Sequence, residues 1–244
     1  MASFSDSPLE IIEEIIDNLQ DHLPALRACS QTCRFLLPLC RKYIFRSISL
    51  ERSWLEQRQG LPRLITLFAT LLDSNSDIAD YVQNLVYHLK TPDFTDEDAP
   101  RILEKLNRIQ SFQLFGGDSD WNALRPTLRK SLSHIIHLRS VTCLKISYFS
   151  FFPISTLSSC LNLTDLTISN ITSTGTDACE HGLVNTGRSK DVPMLDFSNL
   201  QTLSVSIDGH LDIDAVHAVT KATKKLETLY YSGMYQNLSF ISRD

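Results

Sequence analysis

The sequence predicts an α/β protein in which a few short helices precede a series of strand-and-helix units. Two observations lead to this prediction. The first fifty residues read as three amphipathic helices, with apolar residues at helical spacing. From residue 60 onward the pattern apolar-x-x-apolar-x-apolar recurs six times, and its last two positions alternate as a half-buried strand requires. We therefore place a helical unit at residues 5–48 and a repeated α/β domain at residues 49–244.

Composition narrows the classes of partner. The 244-residue chain is 43% hydrophobic and carries a net charge of −5, which allows a sizeable core and disfavours nucleic acid as the main partner. The sequence has no apolar run of the roughly 18 residues that a membrane span needs, and its first residues do not resemble a secretory signal. Six cysteines spread along a chain of this length indicate reduced thiols and a cytoplasmic or nuclear location.

The first predicted helix has a recognisable start. The hydroxyl of Ser7 suits an N-cap, Pro8 suits the first helical position, and Glu10 completes a capping-box pattern. Ile11 widens the apolar face of this helix on one flank. The apolar stripe itself consists of Leu9, Ile12, Ile15, Ile16 and Leu19.

Two further helices follow. Leu26, Cys29 and Cys33 share one face of the second helix, which Pro24 begins and Pro38 ends. Three helices this short cannot bury all their apolar groups, so some should face the rest of the chain and some a partner. The third, short helix contains Leu39, Tyr43, Ile44 and Phe45.

These helices resemble an F-box, whose pattern opens Leu-Pro-x-Glu-(Leu/Ile) and continues with spaced aliphatics and a Val-Cys-(Lys/Arg)-x-Trp-like segment. Ser7 replaces the usual opening Leu, which removes an apolar contact to the partner, and Phe35 stands where Trp is commoner. The segment is most similar to F-box proteins of basidiomycete fungi. The matching positions are Pro8, Glu10, Ile11, Ile15, Ile16, Leu19, Leu26, Cys29, Cys33 and Arg34.

The resemblance implies a function in protein degradation. It implies that residues 5–48 bind a Skp-type adaptor, and through it a cullin, in an SCF-type ubiquitin ligase. The chain would then be a substrate-recognition adaptor and not an enzyme, and residues 49–244 would bind a protein substrate whose identity the sequence does not give. The residues expected at the adaptor interface are Pro8, Leu9, Ile11, Ile12, Ile15, Ile16, Leu19, Leu26, Cys33 and Phe35.

The recurring apolar pattern suggests irregular leucine-rich repeats. It first reads Val82-x-x-Leu85-x-Tyr87, and its occurrences lie 22 to 37 residues apart. Strand and helix in alternation predict a solenoid with parallel strands on one side and helices on the outer side; a general α/β fold is the alternative. The central residues of the six occurrences are Leu85, Phe112, Leu144, Leu166, Leu203 and Leu229.

The segments around these motifs complete the predicted architecture. Ser47–Leu50 is expected to be a strand that starts the array and joins the helical unit to it rigidly. The Gly-containing stretch from Thr172 to Pro193 breaks the rhythm and predicts a long loop, either partner-binding or merely disordered. Helices are predicted over Leu61–Leu72, around Leu103–Leu106 with Pro100 in the first turn, over Ala123–His134 and over Asp212–Lys225.

No pattern in the sequence indicates a catalytic, cofactor or metal site. It has no phosphate-binding Gly-rich loop and no Gly-x-Ser-x-Gly motif. The spacing of Cys29, Cys33 and Cys40 does not match zinc motifs, and His134 and His137 have no evident third ligand.

Two alternatives to the adaptor function stay open. One is an α/β hydrolytic enzyme, which requires a pocket with convergent polar groups. The other is a truncated family member without ligase function, since no polar capping element is evident after the last motif.

Overall fold

A computed structural model describes residues 8–51, 64–89, 97–172, 197–207, 223, 225–233 and 236–240 of the chain. Within these ranges the protein is α/β, as predicted, and the strands form one open sheet. The N-terminal helices come first, and the remaining helices alternate with strands. The predicted cap at Ser7 and most of the predicted helix at 212–225 lie outside the described residues. The predicted loop at 172–193 does so too, except for Thr172, which ends a strand.

Three helices form the N-terminal unit: α1 (Leu9–Asn18), α2 (Leu23–Thr32) and α3 (Leu36–Ile44). Pro8 precedes the first helical residue, one position earlier than predicted, and its carbonyl accepts the first helical amides. The prediction that Pro38 ends the second helix is wrong. α2 ends at Thr32, and Pro38 lies in the first turn of α3, where proline is tolerated because the amide there has no helical acceptor.

Eight strands form the sheet in the order β1 to β8, which is also their order in the chain. β1 to β7 pair in parallel, and β8 pairs with β7 in antiparallel fashion. The prediction of a strand at Ser47–Leu50 is confirmed, since it is β1, the first strand of the sheet. The others are β2 (Asn84–His88), β3 (Ser111–Asp120), β4 (Cys143–Ser150), β5 (Asp165–Thr172), β6 (Thr202–Ile207), β7 (Thr228–Gly233) and β8 (Gln236–Phe240).

The register of the sheet follows the apolar pattern of the sequence. The central residues of successive motifs are direct neighbours across the strands, from Leu85 through Leu166 to Leu229. Ile48 of β1 pairs with Leu85 in the same way, and Phe45-x-x-Ile48-x-Leu50 has the same spacing as the other motifs. The chain therefore carries seven such motifs, of which the sequence pattern had identified six.

A second backbone ladder lies just before the strands. The carbonyl of Gln83 accepts bonds from the amides of Gln110 and Ser111, and the carbonyl of Gln110 accepts from Thr142 and Cys143. The same two-amide pattern continues through Thr142, Thr164 and Gln201. Each unit is thus attached to the next before its strand begins, which extends the parallel pairing into the turns.

Helices pack against one face of the sheet. They are α4 (Leu64–Ser74), the short α5 (Ile78–Tyr81), α6 (Asp98–Lys105) and α7 (Pro126–Ile136). α4, α6 and α7 confirm three of the predicted helices, with Pro100 in the first turn of α6 as expected. Two segments form short 3₁₀ turns, Trp121–Ala123 and Ile154–Ser159. In the predicted helix at 212–225, Thr223 forms an isolated bridge to Phe197 and is not helical.

One glycine is required where β3 bends. A Cβ at Gly116 would lie 2.4 Å from the carbonyl oxygen of Tyr148, so no other residue fits without moving the backbone. The pairing of β3 with β4 shifts register between Phe115 and Ser119, next to this contact. The bend brings Trp121 into edge contact with the rings of Phe149 and Phe152, at centroid distances of 5.7 and 4.8 Å.

Arg46 joins the helical unit to the sheet. Its carbonyl accepts the amides of Gln83 and Asn84. Its guanidinium donates to Gln83 Oε1 (3.0 Å) and to Gln20 Oε1 (3.4 Å). The residue that leads into β1 thus contacts both the loop after α1 and the start of β2.

Candidate protein-interaction surfaces

The helical unit has its own small core. The buried residues of this core share one contiguous cluster, separate from the core under the sheet. Half-buried residues such as Leu19, Leu39 and Tyr43 surround it. A core this small leaves apolar side chains outside, as the sequence analysis expected. The cluster consists of Ile12, Ile16, Leu26, Leu36 and Cys40.

Three residues expected at the adaptor interface lie instead in this core. Ile12, Ile16 and Leu26 are at most 2% exposed, so a partner cannot contact them while the unit is folded. The apolar face of α1 is wider than the area that α2 and α3 cover. The sequence alone did not show which of its apolar residues these two helices bury. The expectation that these three residues contact the adaptor is therefore wrong, since they stabilise the helical unit from inside.

The other expected interface residues are accessible. Leu9, Ile11, Ile15 and Phe35 are 46%, 49%, 44% and 46% exposed, and Leu23 joins them at 37%. Ile11 and Ile15 are one helical turn apart, so their side chains are neighbours on the same flank of α1. Several large apolar side chains exposed on so small a unit make this part of the helical unit a candidate interaction surface. Pro8 and Cys33 are also exposed, and Leu19 is half-buried.

Polar contacts fix the other flank of α1 against α3. The Tyr43 hydroxyl donates to Asp17 Oδ1 across the two helices. Burial, followed by this hydrogen bond, raises the pKa of Tyr43 above its ordinary value. Hydrogen bonding to Tyr43 and the nearby carboxylates of Asp17 and Glu13 raise the pKa of Lys42. Both groups thus keep their protons near neutral pH, which preserves this contact.

The sheet presents a second, polar surface. Strand residues alternate in direction, so the residues between the buried motif positions lie on the face opposite the helices. Many side chains on this face are small hydroxyls, and those of neighbouring strands are aligned because the strands are in register. Ser147 follows the same alternation but is 0% exposed, so it is not part of the surface. The other described hydroxyl residues of this face are Ser47, Ser49, Ser111, Thr167, Ser169, Thr202, Ser204, Ser206, Thr228 and Ser232.

Charged and aromatic side chains interrupt the hydroxyl rows at one end. His88 stacks on Phe115 with ring centroids 4.3 Å apart, and its Nε2 lies 3.7 Å from Glu51 Oε2. On the neighbouring strand, Lys145 places its ammonium 5.2 Å from the centroid of the Phe115 ring. The sequence analysis missed this group. Glu51, His88 and Phe115 each follow the central residue of their motif by three positions, and Lys145 follows Leu144 by one, so extending the motif register in this way would have found them.

A third group of exposed side chains lies where β4 ends. Tyr148 and Phe151 both have positive φ, at 60° and 56°, and are 42% and 44% exposed. A bulky residue in this backbone region is uncommon and costs of the order of 1–3 kcal/mol. Leu161 and Tyr230 are the other large exposed side chains on the described strands and turns of this half of the sheet domain.

The described cysteines and histidines form no metal site. Cys29 is half-buried, Cys33 exposed and Cys40 buried, and the described ranges contain no group of three metal-ligating side chains. The His137 ring nitrogen Nε2 lies 2.5 Å from the carbonyl oxygen of Thr156, which attaches α7 to the following turn. His137 therefore has a structural contact in place of a ligand role.

Comparison with known proteins assigns no family. No protein-family model matches the chain, and a search of curated proteins gave no significant match. In the described portion of the chain, none of the helices combines the length and the apolar character that crossing a bilayer requires. Any proposal for the function therefore depends on the exposed apolar side chains of the helical unit and on the polar face of the sheet.

Proposed function

We propose that this protein is a substrate-recognition adaptor of an SCF-type ubiquitin ligase. In this proposal the helical unit is an F-box that docks a Skp-type adaptor, which attaches the chain to a cullin. The observation that carries the proposal is the set of exposed apolar side chains on α1 and around α2, at positions that the F-box resemblance assigns to the interface: Leu9, Ile11, Ile15 and Phe35.

The second part of the proposal concerns the sheet. We identify residues 49–244 with an irregular leucine-rich-repeat solenoid. Support comes from seven consecutive parallel strands in chain order and from motif residues such as Leu85, Leu144 and Leu203, which align in register across the sheet. Each of these strands pairs with the strands next to it in the chain, as in repeat proteins. The open hydroxyl-rich face is the surface that would hold a protein substrate.

The attachment between the two parts suits this function. The backbone and guanidinium of Arg46 contact Gln20 on one side and Gln83 on the other, and β1 pairs with β2 directly after the last helix. A substrate on the sheet is then held at a fixed position relative to the adaptor. The chain performs no bond chemistry in this proposal; it raises the effective concentration of a substrate lysine near the ubiquitin carrier.

A pull-down tests the adaptor contact. The full chain carrying an affinity tag is mixed with a purified Skp-type adaptor of a basidiomycete fungus, and the bound adaptor is measured. We expect the wild-type chain to retain the adaptor and a Phe35→Ser variant to retain clearly less, because the variant removes an exposed ring without disturbing the core. Circular dichroism confirms that the variant is folded. Absence of binding by the wild-type chain contradicts the proposal.

A second experiment tests the substrate surface. Lys145 lies on the open face of the sheet, far along the chain from the helical unit, and contacts the Phe115 ring. In cells of the source organism, a Lys145→Glu variant should keep the adaptor but lose proteins that co-purify with the wild type. An unchanged set of co-purifying proteins would contradict a role of this face in substrate binding. Loss of the adaptor would contradict the separation of the two surfaces.

A further inference from the structure

A cleft of about 270 Å³ lies where α1, α3 and α5 meet. Ile16, Pro38 and Leu39 give it an apolar lining, and Tyr81 of α5 contributes from the sheet domain. The cleft therefore spans the junction between the helical unit and the first strand-and-helix segment of the sheet domain. The F-box resemblance assigns no interface residue other than Ile16 to this cleft, and Ile16 is buried.

Two carboxylates of α1 line the cleft. Glu13 and Asp17 are one helical turn apart and so lie on the same side of the helix. Asp17 Oδ1 accepts the Tyr43 hydroxyl, which orients that carboxylate and leaves its second oxygen available. Among the described residues, the Glu13 carboxylate has no hydrogen-bond or ion-pair partner.

The charge of the lining favours a cation. Lys42 supplies one positive charge, and its ammonium is 5.0 Å from the centroid of the Tyr43 ring. Two carboxylates and one ammonium give a net charge of −1, since −2 + 1 = −1. The pKa of Lys42 is raised chiefly by its hydrogen bond to Tyr43 and to a smaller extent by the carboxylates of Asp17 and Glu13. A single added positive charge would neutralise the cleft.

We propose that this cleft binds an arginine side chain of a partner protein. The guanidinium would pair with Glu13 and the free oxygen of Asp17 and stack on the Tyr81 ring, while the methylene stem packs on Leu39 and Pro38. A flat guanidinium forms paired hydrogen bonds with carboxylates and stacks on aromatic rings, whereas a lysine ammonium is a compact, strongly hydrated charge. The combination of carboxylates, tyrosine rings and apolar lining therefore selects arginine over lysine.

This site is distinct from the part of the proposed adaptor surface that Ile11 and Ile15 form. At 100° per residue, Glu13 and Asp17 lie on the flank of α1 opposite these two residues, whereas Leu9 lies one turn before Glu13 on the same side. Binding of an arginine in the cleft therefore does not require the apolar side chains that the adaptor would cover. Failure of the adaptor pull-down leaves this inference intact, and failure of the arginine experiment leaves the adaptor proposal intact.

Titration with a small probe tests the inference on the full chain. N-acetyl-arginine amide is added to isotope-labelled protein, and amide chemical shifts are followed by NMR. N-acetyl-citrulline amide, which has nearly the same shape but no charge, is the matched control ligand, and N-acetyl-lysine amide distinguishes an ammonium from a guanidinium. We expect saturable shifts confined to α1, α3 and α5, with citrulline binding about tenfold and lysine several-fold more weakly than arginine.

Two variants with the same charge change separate the cleft from the general charge of α1. Glu13→Gln should weaken binding of the arginine probe by about fivefold, whereas Glu14→Gln, on the same helix but outside the cleft, should leave it unchanged. Lys42→Met should strengthen binding because it removes the competing cation. Equal shifts with citrulline, equal weakening by Glu14→Gln, or tighter binding of lysine than of arginine would each overturn the inference. Unchanged dispersion of the remaining resonances verifies that the variants are folded.

Discussion

The sheet domain buries its apolar residues almost completely, whereas the helical unit leaves many of its own exposed. Motif residues of the sheet such as Phe112 and Leu144 are 0% exposed, and many of the side chains on the open face of the sheet are Ser and Thr. In α1, only Ile12 and Ile16 are buried, while Leu9, Ile11 and Ile15 are about half exposed. The two regions therefore present different surfaces: the helices expose apolar side chains, and the sheet presents a polar face.

The physical reason for this difference is the size of each core. Every internal strand of the sheet has a neighbour on both sides, and helices cover one face, so each apolar position finds a partner within the chain. Three helices of about ten residues enclose much less volume. The comparison predicts that substitutions in the two regions differ in how much they lower the free energy of unfolding and in how far along the chain the loss of structure spreads. The following variants test this.

The largest effect is expected for Phe112→Ala in the centre of the sheet. Removing a fully buried ring should lower the free energy of unfolding by about 3–5 kcal/mol. Phe35→Ala is the matched control, because Phe35 is 46% exposed and its truncation should cost under about 1 kcal/mol. Urea unfolding followed by circular dichroism measures both. Similar losses for the two variants would break the distinction between the two regions.

A smaller and local effect is expected for Leu26→Ala in the helical core. Its cost should be about 2–4 kcal/mol, and the loss should stay within α1–α3, because Leu26 belongs to a cluster separate from the core under the sheet. Hydrogen exchange should show faster exchange of amides in α1–α3 and unchanged protection in β3–β5. Loss of protection in both regions would mean that the chain unfolds as one cooperative unit.

A still smaller effect is expected where α2 begins. The Ala25 amide donates to His22 Nδ1 over 3.2 Å, so the imidazole caps the helix. His22→Ala should destabilise the helical unit by about 1 kcal/mol, whereas His22→Asn, a better capping residue, should not. Thermal unfolding at neutral pH compares the two variants. Equal destabilisation by both would show that the cap contributes nothing.

The smallest effect on stability concerns a thiol under the sheet. Burial raises the pKa of Cys160 to about 11, so the folded protein holds this proton more tightly than the unfolded chain. The contribution of Cys160 to stability is complete below its ordinary pKa and is lost as the pH rises toward 11. The same burial protects the thiol from reagents. At pH 8 the native protein should be alkylated rapidly at the exposed Cys33 and much more slowly at Cys160, which mass spectrometry of peptides measures. Equal rates would contradict the burial of Cys160.

Much of the fold could be predicted because the strands repeat one pattern. Parallel strands buried on one face need apolar residues at fixed spacing, so Leu85, Phe112 and Leu144 located their strands and also their register. The antiparallel β8 was missed because only two residues separate it from β7, without the helix that precedes other strands. Pro38 was misassigned because proline suits both the end of one helix and the first turn of the next.

The candidate surfaces could be predicted only in part. Helical periodicity identified which residues of α1 are apolar, but it did not show that Ile12 and Ile16 point inward and Ile11 and Ile15 outward, because that depends on where α2 and α3 pack. The contacts of Phe115 with His88 and with Lys145 arise from strand alignment across long stretches of sequence. Such side chains become neighbours only once the register is known.

The most direct test of the account measures adaptor affinity for two matched variants. Ile15→Asp replaces an exposed apolar residue of the helical unit, and Leu67→Asp makes the same kind of change at an equally exposed position on α4. By biolayer interferometry with a Skp-type adaptor, we predict that Ile15→Asp weakens binding by tenfold or more, roughly 1.4 kcal/mol, and that Leu67→Asp binds like the wild type. Equal affinity of the folded Ile15→Asp variant and the wild type would contradict the claim that the exposed apolar side chains of α1 form the docking surface.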